Sequence, residues 1–447
     1  MPYEIWLNMS ACDLGRGIEA GRIDPRALTE TFLSAIRHHP HAASIYARLT
    51  EKRAMEEAEA AAQRARSGLR ESPLDGVPVS WKDLFDSANV ATEAGSALLA
   101  GRVPKRDAEV LRRCRMLGLI CLGKTHLSEL AFSGLGLNPM TATTPCVHDV
   151  DKVAGGSSSG AAASVAFGLA AAAIGSDTGG SVRIPAAWND LVGLKTTSGT
   201  LPLEGVVPLC PKFDTVGPLT RTVEDAAVLF VALSGQSRMP FVAGEALRDM
   251  RLLIAEDCLE QVDREPSSAF DAAVSRLQAA GAQVTSTSLG MVNDALSLAP
   301  CLYTAEAYSQ WNDRITAAPE KMFENIRDRF MSGKSFTAAE YLESWNRLIQ
   351  SRREFDRFTV GYDAVMVPTC PNMPPKREDL LRDEGYYVEQ NRLALGHTRI
   401  ANLMDIPALT IPTGVASTGL MLLGHRHDEM RLLRIGDAVE TILSNRD

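Results

Sequence analysis

The chain has 447 residues, of which 45% are hydrophobic and 23% charged, an ordinary globular composition that excludes a disordered or fibrous protein. At roughly 100–200 residues per domain, this length suits several domains or one unusually large α/β domain. Lys and Arg total 46 against 55 Asp and Glu, a net charge of −9, so no electrostatic footprint for nucleic acid and no polybasic membrane surface is present.

The N-terminal stretch MPYEIWLNMS lacks a basic region followed by an apolar run, so no secretory leader is read. Residues 10–70 read as helices. Leu28, Phe32, Leu33 and Ile36 recur at helical spacing, and Glu51 to Arg66 is rich in the helix formers Ala, Glu and Arg. His38, His39 and His41 read as a solvated helix end without metal-ligand spacing. Pro73–Pro78 is a turn feeding a short strand that ends at Lys82. Glu109–Met116 reads as helix, Leu119–Leu122 as a strand and Thr125–Phe132 as helix.

The run Ala161–Gly175 is too short for the roughly 18 residues of a spanning helix and reads as a helix buried in protein. Further on, Arg251–Ala255 and Ala282–Val284 read as strands flanking the helix Ser267–Gln278, and Ala364–Val367 as a strand before Pro368. No linker or internal repeat divides the chain. Alternation of strand and helix points to an α/β fold with a mostly covered sheet. One domain over 1–447 is expected, with a helical segment at 1–70 and a catalytic core at 70–230. Eight scattered cysteines show no CxxC pair and no zinc spacing, which reads as reduced, packed thiols in a cytoplasmic protein without metal or cofactor.

Serine and glycine cluster at two turns flanking the Ala-rich run. Ser157, Ser158 and Ser159 lie between Gly155–Gly156 and Gly160, and Ser181 closes Asp177-Thr178-Gly179-Gly180. Such residues are ordinary caps and turns when met singly. Two such turns near a strand that delivers a lysine suggest more, because Gly-rich turns let successive N–H groups cradle an oxyanion. Gly156-Ser157-Ser158-Ser159-Gly160 also fits the G-x-S-x-G elbow, with Ser158 as nucleophile and His397, His425 or His427 as base. That elbow requires a strong preceding strand, which Asp151-Lys152-Val153-Ala154 does not provide. Ser332-Gly333-Lys334-Ser335 echoes a phosphate loop but has Asp328 where the earlier glycine belongs.

The segment GGSSSGAAASVAFGLAAAAIGSDTGGSVRIPA (155–186) resembles the defining stretch of the amidase signature family. PLDGVPVSWKDLFD (73–86), GLICLGKTHLSELAFSGLGLNP (118–139), PLCPKFDTVGPLTRTVEDAA (208–227), YDAVMVPTCP (362–371) and ANLMDIPALTIPTG (401–414) resemble that family in the family's order. The resemblance implies an α/β fold with a large mixed, twisted central sheet covered by helices on both faces, and a Ser–cis-Ser–Lys triad, with Ser181 as nucleophile, Ser157 after a cis peptide as the bridge, and Lys82 as base. It implies an oxyanion hole of Thr178, Gly179, Gly180 and Ser181 amides, braced by Asp177, Arg183 and Ser158. A serine attacks only when its proton is removed, and a lysine can do that only if burial lowers a pKa that starts near ~10.4.

The implied activity is hydrolysis of a carbon–nitrogen bond in an amide, anilide or carbamate (urethane) through a serine acyl-enzyme. The alternatives are a glutaminase (A) subunit of a tRNA-dependent amidotransferase or a urea-derivative hydrolase. Amidotransferase subunits carry an aspartate seven positions before the Asn of A-N-L, where it holds glutamine's amino group; here that Asn is Asn402 and the position is Leu395. Members acting on allophanate usually carry an extra C-terminal domain, whereas this chain ends soon after the last matching block. Where many members continue His-Tyr-Gly-Thr-Pro after Leu137-Asn138-Pro139, this chain has Met140-Thr141-Ala142-Thr143-Thr144-Pro145. Phe132, Ser133 and Met140 are therefore expected in the wall of a pocket opened for a bulkier small-molecule substrate. Homodimers are common in the family, which is what the resemblance implies for assembly.

Overall fold

The computed structural model describes residues 4–240, 242 and 246–444. Residues 1–3 and 445–447, which bound the expected 1–447 and 1–70 spans and open the stretch read for a leader, lie outside the described residues. Eleven strands form one sheet: β1 Tyr46–Leu49, β2 Pro78–Lys82, β3 Ile120–Thr125, β4 Ala172–Asp177, β5 Val192–Lys195, β6 Thr215–Thr220, β7 Arg251–Ala255, β8 Gln283–Thr287, β9 Ala364–Pro368, β10 Ala408–Pro412 and β11 Gly419–Leu423. Their spatial order is β1-β3-β2-β4-β6-β5-β10-β11-β9-β7-β8. β2 runs parallel to β3 and β4, and β7 to β8 and β9; the remaining pairs are antiparallel. The sheet is mixed, as expected.

Side chains alternate between the faces of a strand, so a strand buried at every residue is covered on both faces. β2, β3, β4, β6, β9 and β11 are all buried throughout. Helices supply that cover, and their ends follow local chemistry. The helix Pro25–His38 starts on Asp24, whose carboxylate accepts from the Arg26 and Ala27 amides, with proline at its first position; it buries Leu28, Phe32, Leu33 and Ile36. Glu51–Ser67 ends at Gly68, which takes the left-handed conformation with φ 69°. Among the described residues no helix is long and apolar enough to cross a membrane.

Three local expectations need correction. The run Ala161–Gly175 is not one helix: helix Ser159–Ala166 ends, Gly168 turns the chain at φ 71°, and β4 begins at Ala172. Alanine is apolar enough for either element, and the turn glycine decides. Thr125–Phe132 is not helical either, since β3 runs to Thr125 and only a short 3-10 turn, Glu129–Ala131, follows. Leu130 and Ala131 have φ of 46° and 61°, which breaks any helix there. Finally β1, at Tyr46–Leu49, interrupts the helices expected over 10–70 by pairing with β3.

Candidate active site

Lys82 is the last residue of β2. The parallel register with β4, Val79 opposite Ala172 through Trp81 opposite Ile174, delivers the carboxyl ends of both strands to one place. There the lysine, with no exposed surface, donates from Nζ to Ser157 Oγ at 2.7 Å and to Ser176 Oγ at 2.8 Å. Burial pushes its pKa from 10.5 down to about 7, against the opposing pull of Asp177 and Asp214. At pH 7 about half of such a lysine is neutral and able to accept a proton, which an ordinary lysine is not.

Ser157 stands in a loop stitched on both sides. The Gly156–Ser157 peptide is cis. Gly156 N donates to Gly134 O at 2.8 Å, Ser128 N to Ser157 O at 3.2 Å, and Ser158 N to Ser181 O at 3.1 Å. The last bond ties the loop directly to the second serine turn. The Ser158 hydroxyl is fully buried and donates to Ser176 O at 3.2 Å. The late histidines bond elsewhere: His397 to Pro368 O, His425 to Tyr362 O and His427 to the Thr200 hydroxyl. Among the described residues the Ser158 hydroxyl bonds no histidine, so the base that the G-x-S-x-G alternative requires is not at its side.

The second turn is organised by one carboxylate. Asp177 accepts from Gly180 N at 2.8 Å, Val182 N at 3.0 Å, Arg183 Nε at 3.0 Å and Asn402 Nδ2 at 3.0 Å. Both Asp177 and Arg183 have no exposed side-chain surface and pair at 2.8 Å. Burial alone would raise the Asp177 pKa, but the Arg183 guanidinium holds it well below the usual carboxylate range. Arg183 also donates to Thr398 O and Asn402 Oδ1, both at 2.6 Å, which anchors the turn to the helix Thr398–Met404. The Gly180 amide is thus engaged by Asp177, leaving the Thr178, Gly179 and Ser181 amides as those of the turn that Asp177 does not engage. Gly180 has φ 138°, and a Cβ there would stand 2.1 Å from Thr398 Oγ1. The Thr178 hydroxyl donates to Asp214 Oδ1 at 2.5 Å.

Thr178, Gly179, Ser181, Phe132 and Ser133 share the wall of one narrow cavity. Met140 does not belong to it: it is 38% exposed, on a surface turn, so its expected place in the pocket is corrected. The cavity wall also includes Leu395, the position read as replacing a glutamine-binding aspartate, and Tyr303, Arg329 and Arg399, none of which was read as lining a pocket. Ser176 and Asp214 were missed as well. Ser176 directly precedes Asp177 in β4, and that adjacency was the one available signal; the others come from helices and loops far along the chain. All eight cysteines are free and buried.

This arrangement can be set beside known proteins. Residues 27–433 match the sequence model of the Amidase family. A 2-amino-5-chloromuconic acid deaminase of Comamonas testosteroni is 34% identical, covering 97% of this chain and 97% of the relative. A glutamyl-tRNA(Gln) amidotransferase subunit of Pseudothermotoga lettingae is 31% identical over 83% of this chain and 86% of its own length. A solved amidase structure superposes with a TM-score of 0.88 at 30% identity, covering 97% of this chain and 99% of that one. With its whole sheet, its sequence blocks and its relatives in agreement, the chain belongs to the amidase (amidase signature) family and is an amidohydrolase acting on carbon–nitrogen bonds.

Proposed function

We propose that Ser181 is the nucleophile of this amidohydrolase, Ser157 the proton relay and Lys82 the base. The observation that carries the reading is the fully buried Lys82 amine, shifted to about 7 and bonded at 2.7 Å to the Ser157 hydroxyl. Ser181 Oγ attacks the carbonyl carbon; its proton passes to Ser157 Oγ as the Ser157 proton passes to Lys82 Nζ. The oxyanion settles on amides of the 178–181 turn, with Thr178, Gly179 and Ser181 not engaged by Asp177 and Gly180 already bonded to it. The proton held by Lys82 returns through Ser157 to the leaving nitrogen, and the amine departs. Water then cleaves the acyl-enzyme by the same relay.

Amides, anilides and carbamates of small molecules all suit this chemistry, and the deaminase relative supports a small-molecule substrate. The amidotransferase relatives favour a second reading, a glutaminase component of a larger assembly. Against it, the apolar Leu395 lines the cavity where an acid would hold the ammonium of glutamine. Phenylmethanesulfonyl fluoride labelling with peptide mapping tests the assignment. A single adduct on Ser181, much reduced in Lys82→Ala, is expected; an adduct on Ser158, or full activity in Lys82→Ala, refutes it.

A further inference from the structure

We propose that the substrate carries a carboxylate, and no α-ammonium, held by the Arg329 and Arg399 guanidinium groups and the Tyr303 hydroxyl. The inference rests on the assignment of Ser181 and specifies what its site accepts. Tyr303, Arg329 and Arg399 line the narrow cavity that Ser181 lines, and the same three line an adjoining outer cavity of about 360 Å³. They therefore stand where the reacting end of the site meets its entrance.

Other shielded arginines of this chain have their partners built in. Arg183 pairs with Asp177, Arg53 with Asp107, Arg64 with Asp75 and Arg102 with Asp86, at distances from 2.6 to 2.9 Å. Arg221 instead donates to a ring of backbone carbonyls, those of Leu7, Met9, Val165, Ala170 and Ala171. Arg329 and Arg399 form no ion pair among the described residues. Arg329 lies 4.3 Å over the Phe132 ring and donates once, to Phe132 O at 2.9 Å; Arg399 lies 5.8 Å from the Tyr303 ring centre. A Cβ on Gly179 would meet Arg399 Cγ at 3.4 Å and Nε at 3.9 Å, so this guanidinium arm lies against the serine turn itself. Tyr303 is 4% exposed, and its hydroxyl has no hydrogen-bond partner among the described residues.

Two like charges brought together without a counter-ion, beside an unpartnered buried hydroxyl, are costly unless a ligand supplies what is missing. Burial, and after it the positive charge of Arg399, push the Arg329 pKa down to about 10. In a chain of net charge −9 this is a local excess of positive charge. Planar guanidinium forks match a carboxylate, and the phenol O–H adds a donor of the same sense. Among the described residues no acidic side chain lines the narrow cavity to pair with an ammonium. The acids of the outer cavity, Asp328 and Glu384, are exposed, and Asp328 already pairs with Arg327. The substrate class is thus an amide bearing a carboxylate a few bonds from the scissile carbonyl.

The test compares succinamate, glutaramate and adipamate with butanamide, pentanamide and hexanamide as substrates. The best acid is expected to exceed its neutral counterpart in kcat/KM by about 100-fold or more, as sites built on buried hydrogen-bonding groups discriminate. Arg399→Gln and Arg329→Gln should each shrink that ratio at least about tenfold, chiefly through KM, and Tyr303→Phe less. L-Glutamine should be a poorer substrate than glutaramate. A wild-type ratio near one, a ratio unchanged in both arginine variants, or preference for glutamine overturns the proposal. Calorimetric binding of the same acids and amides to Ser181→Ala separates the two readings. If the acids bind no better than the neutral amides while wild-type Ser181 is labelled by the fluoride, the subsite falls and the nucleophile stands; selective acid binding without Ser181 labelling supports the subsite and refutes the nucleophile.

Discussion

Replacing Lys82 by Met keeps most of the side-chain volume and removes the proton site. The wild-type amine has its pKa lowered from 10.5 to about 7, a difference of 3.5 units, or about 5 kcal/mol at ~1.36 kcal/mol per unit. Below pH 7 the lysine is charged both folded and unfolded, and the folded state bears the full cost of burying that charge. Between pH 7 and 10.5 the folded state has released the proton while the unfolded state still holds it, so the unfolded chain binds more protons and stability rises with pH. From pH 7 to 9 the gain is about 2.5 kcal/mol, and it is absent in the variant. Urea unfolding of both proteins across pH 6–9 measures it as a difference. Lys195, also pushed to about 7 by burial, titrates in both proteins and cancels. The same titration governs catalysis: about a tenth of Lys82 is neutral at pH 6 and about nine-tenths at pH 8, so kcat/KM should rise about tenfold between them. A flat stability difference together with a flat kcat/KM profile would refute a neutral lysine base.

Ser176→Ala removes one of the two hydroxyls that accept from the Lys82 amine, at 2.8 Å. A bond to the charged amine is stronger than one to the neutral amine, so the kcat/KM midpoint should fall by up to about one pH unit; an unmoved midpoint means Ser176 does not tune the lysine. Asp177→Asn leaves the fully buried Arg183 without its charge partner, and denaturant unfolding should show a loss of about 3–5 kcal/mol. Gly180→Ala places a Cβ 2.1 Å from Thr398 Oγ1 at φ 138°, and kcat should fall about 100-fold or more as the turn is displaced; near-normal turnover would show that the turn need not hold this shape.

What could be read from the sequence depended on how locally each feature is determined. Arg251–Ala255 is found where β-branched and aliphatic residues alternate with turn signals, and the helix over Ser267–Gln278 extends only to Arg264–Ala279. Local composition failed where a single backbone angle decides. Poly-alanine across 161–175 serves a helix and a strand equally well, and the change falls at Gly168. The two serine turns and Lys82 are contiguous motifs, so they could be named, and the structure brings Lys82 to Ser157 and Ser158 to Ser181. Ser176 offered only its adjacency to Asp177, and Tyr303, Arg329 and Arg399 were invisible as site residues because nothing in their neighbourhoods distinguishes them from ordinary helix positions. Only the packing of the helices Gly290–Ala317, Glu324–Met331 and Thr398–Met404 over the serine turn gives them a shared cavity.

The low pKa of Lys82 depends on where the charge of Asp177 is spent. Asp177 is one residue beyond Ser176 at the end of β4 and is ionised, so its field alone would keep a neighbouring amine protonated. Instead its two oxygens receive the Arg183 guanidinium, the Gly180 and Val182 amides and the Asn402 amide. A carboxylate with its lone pairs committed and a full positive charge at 2.8 Å projects a weakened field outward, and the Lys82 amine donates to the hydroxyls of Ser157 and Ser176 and the Ser176 carbonyl, so the pull of Asp177 and Asp214 on it falls short of the cost of burial. Burial therefore wins over attraction at Lys82. The same commitment fixes the turn that presents Ser181, so one buried ion pair both shapes the anion cradle and lets the lysine remain neutral. Breaking that pair with Asp177→Asn should then act twice: the turn loosens, and the uncompensated Arg183 charge lowers the Lys82 pKa further, a shift visible in the kcat/KM profile of whatever fraction folds.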